Sequence, residues 1–282
     1  MSKKRESVLK KNDEINLEIT ALTSQGSGVG RFNSMAVFVE GTAPGDVIVA
    51  HIILVKSNYA VGIIKKILKP SKHRIVCDCG AFSSCGGCSF RHIDYDEELA
   101  FKKQRVQDAF NRIGGIDTQV KEIITAGKVE RYRNKAQYPV AMTPEGKTLI
   151  GFYAKKSHRV IDCRDCLLQP EEFEVFLGII EKWAAQYGVT IYNEKENKGL
   201  LRHIYIRKGF KTGQIMICIV STSRLVPKIE RLIEALISCN ENIKSIVLNV
   251  NSEDTNVVLS NDCRTLWGSD FIEDELCGLK FK

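Results

Sequence analysis

The sequence predicts a multi-domain chain: a small N-terminal β-barrel, a cysteine-rich segment with one helix, and an α+β domain. Three observations carry this prediction. From Glu14 to Leu68, short apolar runs follow one another at Gly/Pro turns with no helical period between them. Four of the ten cysteines crowd between Cys77 and Cys88, just ahead of a helical pattern. From about residue 125, paired strands, a helix and further strands suggest a sheet with helices on one side.

In chain order, residues 1–12 read as a disordered basic lead and 13–70 as the barrel. Ile15, Leu17 and Ile19 alternate with polar neighbours, and "MAVFVE" (35–40), "DVIVAHIILV" (46–55) and "YAVGIIKKIL" (59–68) supply further strands. Within this region "SQGSGVGRF" (24–32) superficially resembles a phosphate loop. Such a loop needs a helix directly after its glycines, whereas here another strand follows, so the stretch reads as a flexible β-loop carrying an exposed Arg31. Residues 71–124 form the cysteine-rich segment and its helix, with Asp94 or Asp96 as N-cap, a Leu99, Val106, Phe110, Ile113 stripe, and Gly114–Gly115 as the stop. In the α+β domain, 125–282, helices are expected at 170–187 and 225–238. Strands are expected over "YRNKAQYPVAM" and "TLIGFYAKKSHRVID" and at 201–208, 213–220, 243–250 and 256–260.

Composition is that of an ordinary globular protein, 44% hydrophobic and 27% charged. No stretch has the ~18 uninterrupted apolar residues of a membrane span, and the charged N-terminus has no secretory apolar core, so the chain reads as cytoplasmic with no membrane partner. Residues 1–170 hold 27 Lys+Arg against 18 Asp+Glu, and 171–282 hold 14 against 16. The net +7 is therefore segregated, as expected of one face that meets a polyanion.

Disulfides are not expected where reductants keep thiols reduced. Cys79, Cys85 and Cys88 stand as C-x5-C-x2-C with "CGGC" at the end, and the glycines permit a tight turn that converges two sulfurs on one centre. A fourth soft ligand is available from Cys163 or Cys166 in "DCRDC", or from Cys77. Three close thiols and a distant fourth fit an iron–sulfur cluster. Structural zinc prefers two clean C-x2-C pairs, and reduced structural thiols are the remaining reading. Cys218, Cys239, Cys263 and Cys277 read as buried core thiols.

Taken in order, "GSGVGR…AVFVEGTAPGDVIVAHI", the C-x5-CGGC motif, "RYRNKAQYPV", "IGFYAKKSHRVIDCRDCLLQ" and "LLRHIYIR" resemble the bacterial RNA uracil-C5 methyltransferases that act on 23S ribosomal RNA. The resemblance implies that the barrel is a TRAM domain of OB-like fold. It also implies a [4Fe–4S] cluster on Cys79, Cys85, Cys88 and Cys166, and S-adenosylmethionine as methyl donor. In that family a cysteine thiolate adds to uracil C6, C5 takes the methyl group, and a base removes the C5 proton. The family's Rossmann-like methyltransferase domain is expected to be absent here, which leaves the chain inactive alone. Its work would then be to grip RNA as a monomer. Basic residues interleaved with aromatics are the candidate contacts: Arg31; Arg131, Arg133 and Lys135; Lys155, Lys156, His158 and Arg159; Arg202 and His203. A non-catalytic RNA-binding module with a structural iron–sulfur or zinc site is the rival expectation, and transfer RNA is the alternative substrate.

Overall fold

The computed structural model describes residues 9–282. It has two compact units, one running through Ser83 and joined by Cys88–Ala126, the other comprising Ser84–Gly87 and Gly127–Lys282. Residues 71–83 and 88–124 cluster with the barrel, and Ser84–Gly87 cluster with the larger unit.

In the smaller unit, β1 (Glu14–Leu22), β2 (Gly28–Phe32), β3 (Met35–Val39), β4 (Val47–Val55) and β5 (Tyr59–Lys69) close in the order β1-β2-β3-β5-β4. All pairs are antiparallel except β3 with β5. The period of two turns Ile15, Leu17 and Ile19 inward onto Val37, Val39, Ile48, Ala50 and Ile52. The glycines of 24–32 serve this closure rather than loop freedom. A Cβ at Gly28 would stand 1.8 Å from Thr42 Oγ1, and one at Gly30 would stand 2.4 Å from the Glu18 carbonyl oxygen. The expected flexible loop is therefore largely strand β2, with Arg31 on it. Most of the expected disordered lead, residues 1–8, lies outside the described residues. Its last part is ordered: Leu9 is buried in the barrel core, and the Asn12 N–H donates to the Ile52 carbonyl at 2.8 Å.

Asp46 fastens the segment after the barrel. Its buried carboxylate accepts from the Ala43 and Ser71 N–H groups at 2.7 and 2.8 Å and from the Arg74 guanidinium at 2.7 Å. Helix α1 (Tyr95–Asp108) is capped by Asp94, which accepts from the Glu97 N–H at 2.8 Å, and continues into a π turn over Ala109–Ile113. The expected apolar stripe is not buried, for α1 has no buried residue. The helix meets the unit through Phe101 instead, whose ring lies 5.8 Å from that of Phe90.

The larger unit is a seven-stranded sheet in the order β12-β11-β10-β9-β6-β7-β8. Its strands are β6 (Lys135–Met142), β7 (Thr148–Tyr153), β8 (Val160–Asp162), β9 (Leu201–Lys208), β10 (Ile215–Ser221), β11 (Ile243–Val250) and β12 (Cys263–Gly268), followed by a hairpin of β13 (Asp274–Leu276) and β14 (Leu279–Phe281). Only β10 and β11 run parallel, joined through α3 (Ile229–Cys239). Helix α2 (Glu172–Gln186) buries Phe173, Phe176, Leu177 and Ile180 in the core beside Ile204, Ile206, Ile217 and Ile246.

Three expected elements differ, the first being 148–162, which a turn over 154–159 splits into β7 and β8. Helix α3 begins at Ile229 rather than 225, because Lys228 takes a left-handed φ of 50°. Residues 256–260 form no strand. Asn249 and Asn251 hold them from the side: the Asn251 Nδ2 donates to the Val257 carbonyl at 2.7 Å, and the Ser260 N–H donates to Asn249 Oδ1 at 3.0 Å. The ladder position beside β11 goes to β12. Of the four thiols expected in the core, only Cys218 is buried; Cys239, Cys263 and Cys277 are exposed. Among the described residues no helix is long and apolar enough to cross a membrane.

Candidate nucleic-acid interface

The larger unit carries two groups of exposed cations, each fixed by backbone geometry. The first lies where the chain enters β6 and leaves β9. The Arg131 N–H donates to the Leu167 carbonyl at 2.8 Å and the Arg133 N–H to the Leu168 carbonyl at 3.0 Å. These bonds make an extended splint along the "CLLQ" segment. Arg131 takes a positive φ of 55°, and its Nη1 donates to the carbonyls of Cys166 and Gln169 at 3.0 and 2.9 Å. Its guanidinium is thus turned inward to hold the loop. Arg133 and Lys135 alternate outward with exposed side chains. A cavity of about 300 Å³ opens here, lined by Arg131, Arg133, Asn134, Glu172, Lys208 and Phe210 among others. Lys208 is ion-paired to Glu172.

The second group is the turn between β7 and β8. The Ala154 N–H donates to the Arg159 carbonyl at 2.8 Å and the Ser157 N–H to the Ala154 carbonyl at 3.2 Å, with Lys156 at a positive φ of 54°. This closed turn exposes Lys155, Lys156, His158 and Arg159 together. His158 stacks on Tyr153, with centroids 5.1 Å apart and planes at 25°. Glu194 bridges the two rings: His158 Nδ1 is 3.0 Å from one carboxylate oxygen, and the Tyr153 hydroxyl donates to the other at 3.2 Å. Burial, then the Glu194 charge and hydrogen bond, push the Tyr153 hydroxyl pKa well up, so the phenol keeps its proton. Stacked rings with lysines beside them suit an unpaired base and its phosphates.

Arg202 and His203, expected as contacts, are instead internal. Arg202 is 5% exposed; its Nη1 donates to the Asn251 and Glu253 carbonyls at 2.7 and 2.8 Å, and its guanidinium lies 4.4 Å from the Tyr192 ring centroid. It clamps the loop after β11. His203 Nε2 lies 3.2 Å from the Tyr153 hydroxyl, and Nδ1 is buried with no hydrogen-bond partner among the described residues. Burial, then the neighbouring Arg202 charge, lower its pKa to about 4, so the ring is neutral. The alternation that places 201–208 in a strand could not show that β9 is central and covered on both faces. In the smaller unit Arg31 is exposed on β2, its Nη1 donating to the Ser34 carbonyl at 3.0 Å. Sequence reasoning missed Tyr153, Glu194, Lys208 and Phe210. The legible signal for Phe210 was an aromatic between two glycines in "KGFKTG".

The candidate thiols are divided between the two units. Cys85 is buried against β7 in the larger unit, bridging Ala154, and its sulfur accepts from the Gly87 N–H at 3.3 Å. Cys163 and Cys166 form a hydrogen-bonded thiol pair, and that bond, working against burial, lowers the Cys166 pKa to about 6. Cys79 and Cys88 belong to the smaller unit. Among the described residues, no three His, Cys, Asp or Glu side chains group so as to hold a metal ion. The donor types suit iron–sulfur or zinc.

Residues 9–65 match the TRAM domain family. Over 99% of its length the chain is 42% identical to an uncharacterized RNA methyltransferase of Clostridium tetani, of which it spans 60%. A further uncharacterized RNA methyltransferase, of Halalkalibacterium halodurans, is 36% identical over 99% of this chain and 61% of its own length. The chain therefore spans about three fifths of these relatives. In fold it resembles the Pyrococcus abyssi tRNA (uracil-54, C5)-methyltransferase solved with S-adenosyl-L-homocysteine, at a TM-score of 0.69 and 21% identity, covering 94% of this chain and 58% of that one. These findings correct two expectations. A fold class defined by a missing methyltransferase domain, and a chain inactive alone, do not stand. Both were drawn from where the sequence ends, whereas essentially the whole chain aligns with methyltransferases.

Proposed function

We propose that this TRAM-bearing relative of RNA methyltransferases grips folded RNA and serves S-adenosylmethionine-dependent methylation of uracil at C5, with 23S ribosomal RNA as substrate. One observation carries the reading: relatedness to RNA methyltransferases over 99% of the chain coincides with exposed cations set beside stacked rings. Uracil C5 inside a paired, stacked RNA is out of reach of any side chain, so the base must be extruded. Lys155, Lys156 and Arg159 neutralise phosphates, and the Tyr153–His158 stack, braced by Glu194, receives an unpaired base. S-adenosylmethionine supplies the methyl group when bound.

The test is incubation of the full chain with methyl-labelled S-adenosylmethionine and unmodified 23S ribosomal or transfer RNA transcripts. Label recovered as 5-methyluridine in the 23S transcript is expected. Label in transfer RNA alone would overturn the substrate, RNA binding without label would overturn the catalytic half, and no RNA binding would end the reading. The ligand set Cys79, Cys85, Cys88 and Cys166 is a separate proposal, supported by residue type and spacing. Iron and sulfide in a [4Fe–4S] complement after anaerobic purification would sustain it, and zinc without sulfide, or no metal, would end it.

A further inference from the structure

The cavity between the start of β6 and the turn after β9 has features that the RNA reading does not yet use. Phe210 projects from the turn joining β9 to β10 and is 74% exposed. A single exposed apolar residue is ordinary, but this one is held rigidly. The Asp274 carboxylate accepts from three successive N–H groups, those of Phe210, Lys211 and Thr212, at 2.8, 2.9 and 3.4 Å. The Gly209 N–H closes the turn on the Gln214 carbonyl at 2.7 Å, and the Thr212 hydroxyl donates to the Glu273 carbonyl at 2.6 Å. The backbone that carries this exposed ring is thereby fixed beside the cavity.

The cavity's charge is equally specific. Arg131 is committed to the Cys166 and Gln169 carbonyls, and Lys208 to Glu172. Arg133 is anchored by its backbone, while its guanidinium donates no hydrogen bond to the described residues. One cation with unused donors and an exposed ring thus line the same cavity of about 300 Å³, beside Glu171 and Glu172, whose charges are met by Arg131 and Lys208; that volume is the low end of the range for small-ligand sites, roughly 300–1,000 Å³.

We propose that Phe210 and Arg133 form a subsite for one unpaired nucleotide of single-stranded RNA, its base stacked on the Phe210 ring and its phosphate held by Arg133. Asp274 is a positioning residue, acting through the turn. The proposal rests on the RNA-binding reading above and adds to it a preference for unpaired over duplex RNA at a place that reading does not use.

The test is fluorescence anisotropy of the full chain with a labelled single-stranded oligoribonucleotide and with a duplex of the same sequence, across a salt series. Phe210→Ala is expected to weaken single-strand binding roughly tenfold, in the range one lost base stack produces, with duplex binding and melting temperature unchanged. Phe210→Trp restores the affinity. Arg133→Ala lowers the slope of log K against log salt by about one. If Phe210→Ala binds the single strand like the unaltered chain, or weakens single strand and duplex equally, the subsite is overturned. If in the same assay Lys155→Ala or Lys156→Ala still weakens binding, the broader RNA reading survives that failure. An unaltered chain that binds neither RNA removes both.

Discussion

At the scale of single residues, two buried ionisable groups make stability depend on pH. Asp46 sits in the smaller unit with no exposed side-chain surface. Burial alone would raise its pKa, but hydrogen bonds from Arg74 and from the Ala43 and Ser71 N–H groups outweigh this and hold it below its ordinary 3.8. A depressed carboxyl pKa means the contribution is complete above the unfolded value and is lost as pH falls through the folded one. Asp46→Ala would strand the Arg74 charge and two N–H groups, so a loss of about 3–5 kcal/mol is expected in urea unfolding at neutral pH. His203 works in another window. Its pKa of about 4, set by burial and then by Arg202, lies below the unfolded value near 6.5. The unfolded chain takes up the proton first, so stability declines from pH 6.5 down to about 4, by on the order of 3 kcal/mol. A pH series of melting curves should show that slope, and His203→Gln should flatten it.

At the scale of elements, what the sequence disclosed depended on whether local pattern or distant partners decided the structure. Strand β9 was legible at both ends: Gly209 follows Lys208 directly, and Gly199 stands two residues before Leu201. Helix α2 announced itself through Pro170 and its apolar spacing. The stretch 256–260 was misleading. Val257, Val258 and Leu259 have strand propensity, but the amides of Asn249 and Asn251, distant in pattern terms, capture their backbone. Asn251→Ala should free this loop while leaving the Arg202 bonds to the Asn251 and Glu253 carbonyls in place, costing about 1–3 kcal/mol in chemical unfolding. The glycines of 24–32 were visible but their reason was not, since Thr42 and Glu18 crowd them only after the barrel closes. Gly30→Val should therefore abolish the barrel's cooperative melting rather than merely stiffen a loop. The site was half legible: the turn 155–159 was found from its charges, whereas burial of Arg202 and His203 depended on which strand became central.

At the scale of the whole molecule, segregated charge leads to an ionic signature. Positive charge concentrates in residues 1–170, so RNA affinity should fall linearly in log–log terms as salt rises, with a slope that counts neutralised phosphates. Removing Lys155 and Lys156 together should reduce that slope by about two if both contact phosphate. The sheet order also bears on how the chain is made. All five barrel strands find their partners within a contiguous early stretch, so that unit can close soon after it leaves the ribosome. The second sheet cannot: Ala136 on β6 pairs with Ile206 on β9, and β10 must wait for β11 beyond the intervening helix. During synthesis β6, β7 and β8 therefore emerge as a bare meander with no central strand to join. The nascent larger unit is most open to chaperones and proteases in the interval before β9 is translated.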